Sequence, residues 1–146
     1  MPRYFTLDQA RAYLPSVGEN LRTAIRLKEQ HGKAQAELDA IHHQVSMMGG
    51  MVPDRAKFLG HRARLDATAM RLKEILDEMS ELGVQIKDLD IGLIDFPTLY
   101  RGEEVLLCWK LDENDIEYWH SLDDGFRGRR PIDREFLANH RGESES

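Results

Sequence analysis

Apolar residues recur every three or four positions over roughly the first 80 residues, and every second position after that. This pattern predicts a helical segment followed by a pleated one. Thr6 with Gln9 has the spacing of a capping box, so a short helix is expected from there to about Leu14, with Pro15 permitting a kink or a fresh start. The ladder Leu14, Val17, Leu21, Ala24, Leu27, His31, Ala34, Leu38, Ile41, Val45 and Met48 lays one stripe along a helix of about 30 residues. Gly49-Gly50 and Pro53-Asp54 are expected to turn the chain, with the loop near 49–54. A second ladder, Phe58, Arg62, Leu65, Ala69, Leu72, Leu76 and Met79, alternates spacings of four and three, the coiled-coil period. Its polar member Arg62, like His31 in the first ladder, is expected to set register. Two long helices joined by a short loop should pack antiparallel.

After Gly83 the period is two. Val84, Ile86 and Asp88 share a strand face, and Leu93 to Phe96 reads as a second strand stopped by Pro97. Val105 to Trp109 is apolar on both faces, as a central strand would be. Ile116 to His120 reads as a fourth strand. Asp133 to His140 is expected to form a helical turn or two. The expected class is α+β: a long antiparallel helical hairpin (residues 1–82, a short first helix plus two long ones) and a small antiparallel β-sheet of three to four strands (83–140). Residues 141–146 are expected to form a disordered tail.

Composition narrows the possible partners. Residues 1–82 carry 12 Lys/Arg against 11 Asp/Glu, net +1, while residues 83–146 carry 8 against 15, net −7. The acidic half would repel a phosphate backbone, so duplex nucleic acid is not expected as a partner. The single cysteine excludes an intrachain disulfide, and no leader or membrane-length apolar run is visible, so a cytoplasmic protein is expected. Ile25, Leu59, Ile75 and Leu82 widen the apolar faces beyond one seam. Self-association is therefore expected, most simply a homodimer through the long helices that completes a four-helix bundle.

The C-terminal half holds the chemistry. Asp88, Asp90 and Asp95 cluster in sequence, and His120 shares a strand face with Ile116 and Tyr118. Asp88, Asp90 or Asp95 with His120, helped by Glu117, would hold a divalent metal or do acid–base work. The plainer expectation is that Asp88 and Asp90 end a strand by accepting turn N–H groups, and that His120 is a hydrogen-bonded core residue. Gly125-Phe126-Arg127-Gly128-Arg129-Arg130 is the one basic cluster in this half. Arg127 and Arg129 would orient an anionic ligand, or the arginines would pair internally with acidic neighbours. Tyr118, Trp119 and Phe126 would stack single-stranded nucleic acid bases. His42, His43 and His61 near the hairpin tip, with Met47, Met48 and Met51, form a weaker metal candidate. Cys108, mid-strand, reads as a buried inert thiol. No zinc-ligand spacing, nucleophile elbow or dinucleotide fingerprint occurs, and Asp112-Glu113-Asn114-Asp115 reads as a solvated loop.

Tyr4-Phe5-Thr6-Leu7, Gly83 to Asp90, Gly92-Leu93-Ile94-Asp95-Phe96-Pro97, Glu104 to Trp109, Ile116 to His120 and Gly125 to Pro131 together resemble an uncharacterised bacterial family of unknown function, DUF2203. The resemblance spans nearly the whole chain. One departure is a Gly-Glu pair ahead of the Trp-His strand, where this chain has Asp112-Glu113-Asn114-Asp115. The resemblance implies a chain layout and no activity.

With no catalytic motif, the expected function is a non-enzymatic, self-associating binding or interaction module, with a small anionic ligand or protein partner at the β module. The ligand candidates are Asp88, Asp90, Asp95, Glu117, Trp119, His120, Arg127 and Arg129. The alternative is a metal-dependent enzyme or divalent-metal-binding protein, with Asp88, Asp95 and His120 as ligands.

Overall fold

The structure is a computed structural model that describes residues 3–51 and 54–143. Helices α1 (Leu7–Met47) and α2 (Arg55–Leu82) lead into strands β1 (Gln85–Asp88), β2 (Leu93–Tyr100), β3 (Glu103–Lys110) and β4 (Tyr118–Ser121). A 3-10 turn (Phe126–Gly128), β5 (Arg130–Pro131), α3 (Arg134–Asn139) and β6 (His140–Arg141) follow. The chain divides into two compact units, residues 23–76 and the remainder, so both long helices run through the two.

Thr6 caps α1. Its hydroxyl accepts from the Gln9 N–H at 3.1 Å, and the Gln9 side chain accepts from the Thr6 N–H at 2.9 Å. The break expected at Pro15 does not occur, because α1 runs through it. Pro15 is exposed and forfeits one backbone bond, while Leu7, Ala10, Val17 and Leu21 on the opposite face stay buried. Gly49 and Gly50 end the helix with φ of 72° and 89°. The Gly50 N–H returns to the Val45 carbonyl at 2.8 Å, the closure that left-handed glycines allow. Asp54 then caps α2 through the Lys57 N–H at 3.0 Å. Pro53 lies outside the described residues.

In the 23–76 unit the seam of α2 differs from the expected ladder. His61 and Leu65 are buried and Thr68 is half-buried, while Arg62 and Ala69 are exposed. The covered positions Phe58, His61, Leu65, Thr68, Leu72, Ile75 and Met79 keep the alternation of threes and fours, with 61, 68 and 75 in place of 62, 69 and 76. The seam's polar member is His61, whose Nδ1 lies 3.0 Å from Glu37 Oε2 on α1. Arg62 instead faces Asp66 along its own helix.

The other unit holds an antiparallel sheet in the order β1-β2-β3-β4-β5. It has six strands where three to four were expected, because β5 and β6 are two residues each and too short to show alternation. Strand β2 does not stop at Pro97. In a strand a residue's N and C=O point to the same side. The Pro97 carbonyl accepts from Phe5 N–H at 2.7 Å on the outer edge of β2, so its missing N–H costs no ladder bond. That edge pairs with β1 near Leu93–Asp95 and with β6 at Leu99–Tyr100, and Phe5 fills the gap between them. The expected disordered tail is ordered at its start: Arg141 is in β6, and the Glu143 N–H bonds the Tyr4 carbonyl at 3.0 Å. Residues 144–146 lie outside the described residues.

Register assigns the faces. Ile94, Phe96, Leu107, Trp109 and Trp119 point one way, and Phe5 packs edge-on against Phe96 while Phe136 lies against Trp119. Asp95, Leu106, Cys108, Tyr118 and His120 point the other way, where the segment after β4 lies against them. Residues Val105 to Trp109 are therefore buried on both sides.

Candidate functional site

The second face of the sheet carries a buried polar group built from three adjacent strands. Asp95 on β2 is register-paired with Cys108 on β3, and Cys108 with Tyr118 on β4. His120 lies two residues further along β4, so all three side chains project to one face. Asp95 and Cys108 are 0% exposed and His120 is 3% exposed. His120 Nε2 is 3.0 Å from Asp95 Oδ2, and His120 Nδ1 is 2.7 Å from the Ser121 carbonyl. Asp95 Oδ1, also buried, has no hydrogen-bond partner.

Those contacts fix where protons sit. A carbonyl only accepts, so Nδ1 carries a hydrogen. The Nε2 contact then needs a second proton, on the ring or on the carboxyl. The Asp95 hydrogen bond is the largest influence on His120, Cys108 adds to it, burial opposes it, and the Ser121 carbonyl supports it. Together they raise the imidazole from 6.5 to about 10. The raised imidazole favours that second proton on the ring, and one oxygen of Asp95 is left over.

Beside the pair is a cavity of about 150 Å³, lined by Lys87, Leu93, Leu106, Leu122, Gly125 and Phe126. Lys87 reaches it because it lies two residues along β1 from Gln85, which is paired with Asp95, and so shares that face of the sheet.

The remaining sequence candidates are elsewhere. Asp88 Oδ1 accepts from the Asp90 and Ile91 N–H groups at 3.0 and 3.4 Å, which closes the β1–β2 turn, and both aspartates are exposed. Glu117 and Arg127 are exposed. Trp119 belongs to the opposite face, with its ring 5.0 Å from Phe136 and 5.1 Å from Tyr100. Arg129 forks onto Glu113 at 3.0 and 2.8 Å and lies over the Tyr118 and Phe126 rings. Arg130 faces Asp124 at 3.5 Å. Glu113 is thus part of a folded ion pair, where a solvated loop was expected. Burial pushes its carboxyl up, but the Arg129 fork, the Lys110 N–H and the two nearby cations outweigh it and hold it below its usual range. His42 meets the Phe58 ring and His61 meets Glu37. Among the described residues only Asp95, Cys108 and His120 have the mutual spacing of metal ligands.

Sequence reasoning placed Asp95 and His120 among its candidates but missed Cys108. Alternation puts Cys108 on the face of Leu106. Only the β2–β3 register, which no local pattern encodes, sets it opposite Asp95.

A family model described as "Uncharacterized conserved protein (DUF2203)" matches residues 3–132, and the chain belongs to that family. No curated protein and no solved structure matches the chain. No helix among the described residues is long and apolar enough to cross a membrane.

Proposed function

We propose that this member of the DUF2203 family is a binding module whose ligand site is the cavity beside Asp95 and His120. The observation that carries this reading is Asp95 Oδ1. A buried carboxylate oxygen without a partner costs about 1–3 kcal/mol or more, and this one belongs to a residue that borders the cavity. A ligand that offers an N–H, an O–H or a positive charge to that oxygen recovers the cost. The apolar lining from Leu93, Leu106, Leu122 and Phe126 suits a small body behind such a group. The compartment consistent with a lone reduced cysteine is the cytoplasm.

The test is a thermal-shift screen of small polar molecules and ions on wild-type protein and on Asp95→Asn. Ligands that raise Tm in wild type and not in the variant support the site. Equal shifts in both proteins place binding elsewhere.

Two further readings each have a specific observation in their favour. Met47, Met51, Leu59 and Met70 are more than half exposed on the 23–76 unit, which favours self-association through the long helices along a coiled-coil-like seam. A strict monomer by light scattering at micromolar concentration would remove that reading. A divalent-metal protein using Asp and His of the β module is favoured by Cys108, which completes a set of three donors.

A further inference from the structure

We infer that the ligand of this cavity is a thiophilic divalent cation of the zinc class, held by Asp95, Cys108 and His120 with one coordination position left open. The inference rests on the reading of the cavity as the binding site and names what fills it.

Four observations converge. The carboxylate, thiol and imidazole donor atoms lie within 4.8 Å of one another. Zinc bonds of about 2.0–2.3 Å place tetrahedral donors about 3.3–3.8 Å apart, so shifts of about an ångström complete the shell. The donors sit on three neighbouring hydrogen-bonded strands, which keeps them in place without an ion. His120 has the orientation of a metal ligand: Nδ1–H is anchored on the Ser121 carbonyl and Nε2 points inward at Asp95, the outer-shell hydrogen bond that ligating histidines use. Asp95 Oδ1 is the unpartnered buried oxygen that a cation would satisfy.

The donor set also selects the ion. Calcium and magnesium need six or more oxygen ligands, and the cluster supplies one carboxylate. Thiolate with imidazole suits zinc, cobalt, nickel or copper. Three protein donors leave a fourth position open, and two of them, Asp95 and His120, border the cavity, which suits the open arrangement of a metal that takes up a small molecule. The ligating forms of the three side chains are thiolate, neutral imidazole and carboxylate, so any protons they carry are released to solvent on binding.

The experiment titrates chelator-treated full-length protein with Co(II) and then Zn(II), following sulfur-to-cobalt charge-transfer absorption. The chain has a single cysteine, so any such band belongs to Cys108. The expected result is one equivalent bound, a band that zinc displaces, and no effect of Mg(II) or Ca(II). Cys108→Ser should lose the band, and its affinity should fall by more than the roughly 10–100-fold cost of losing an outer-shell partner. Circular dichroism checks that the variant is folded, and the wild-type spectrum alone decides the matter if it is not. Absence of the band and of any zinc-induced Tm rise in wild type overturns the cation. If small molecules still raise Tm in an Asp95-dependent way, the cavity stands as a ligand site without a metal. If they do not, both readings fall.

Discussion

Two charged clusters lie on the same face of the sheet, and they differ in how completely they are satisfied. In the Arg129–Glu113 pair both carboxylate oxygens are engaged: Oε1 accepts from Arg129 and from the Lys110 N–H, Oε2 accepts from the other Arg129 nitrogen, and two aromatic rings cover the guanidinium. The Asp95–His120 pair is more deeply buried, yet one of its oxygens is unmatched and it adjoins a cavity. A closed pair is what a fold needs to hold a loop onto a sheet. An open pair costs stability, and a ligand is the simplest reason for a fold to keep it.

The two pairs should differ most in their response to pH. His120 is raised above its unfolded value of 6.5 to about 10. Its contribution in the metal-free protein is therefore complete below pH 6.5 and lost as pH rises toward 10. Unfolding free energy should decline through that window by up to about 1.4 kcal/mol per pH unit. Urea titrations at several pH values read the slope, and Asp95→Asn should flatten it. An unchanged slope in the variant would detach the effect from this pair.

The next largest effect concerns the closed cluster. Arg129→Met removes a fork from a mostly buried carboxylate and two ring contacts, and should cost about 2–3 kcal/mol in urea unfolding at pH 7. A loss below about 0.5 kcal/mol would mean that the pair is not what fastens residues 121–130 to the sheet. Thr6→Ala deletes one arm of the capping box and should cost about 1 kcal/mol, leaving ligand-induced Tm shifts as in wild type. Arg127→Ala, on an exposed side chain outside both clusters, should move stability by no more than about 0.5 kcal/mol and leave binding intact. Loss of binding in that variant would bring Arg127 back into the site.

Much of the scaffold was legible in the sequence because it rests on local rules. The capping box at Thr6, the paired glycines at the hairpin tip and the change of period at Gly83 each act over a few residues. At Gly83 the backbone has φ 102°, and an added Cβ would lie 2.9 Å from that of Arg3, so the helix stops there and β1 begins. What escaped depended on distant pairing. Pro97 reads as a stop until Phe5 is seen on its open edge, and Arg62 reads as a seam residue until packing shows His61 inward against Glu37 of α1. Asp95 and His120 were visible as polar residues in apolar strands, but Cys108 joins them only through register. The three carboxylates that look like one group in sequence separate for the same reason: Asp88 and Asp90 sit at the turn and Asp95 in the core.

The most direct measurement is the unfolding free energy of Asp95→Asn at pH 7 and above, set beside that of Arg129→Met. The Asn amide can donate to a neutral His120 ring while removing a buried charge. At pH 7 the variant forgoes the raised His120 contribution, so its metal-free form should be less stable than wild type by an amount that shrinks as pH rises toward 10, and it should lose ligand- or ion-induced stabilisation. A loss of stability that does not shrink toward pH 10, with ion-induced stabilisation intact, would show Asp95 to be a structural partner like Glu113, and would contradict the assignment of this cluster as the functional site.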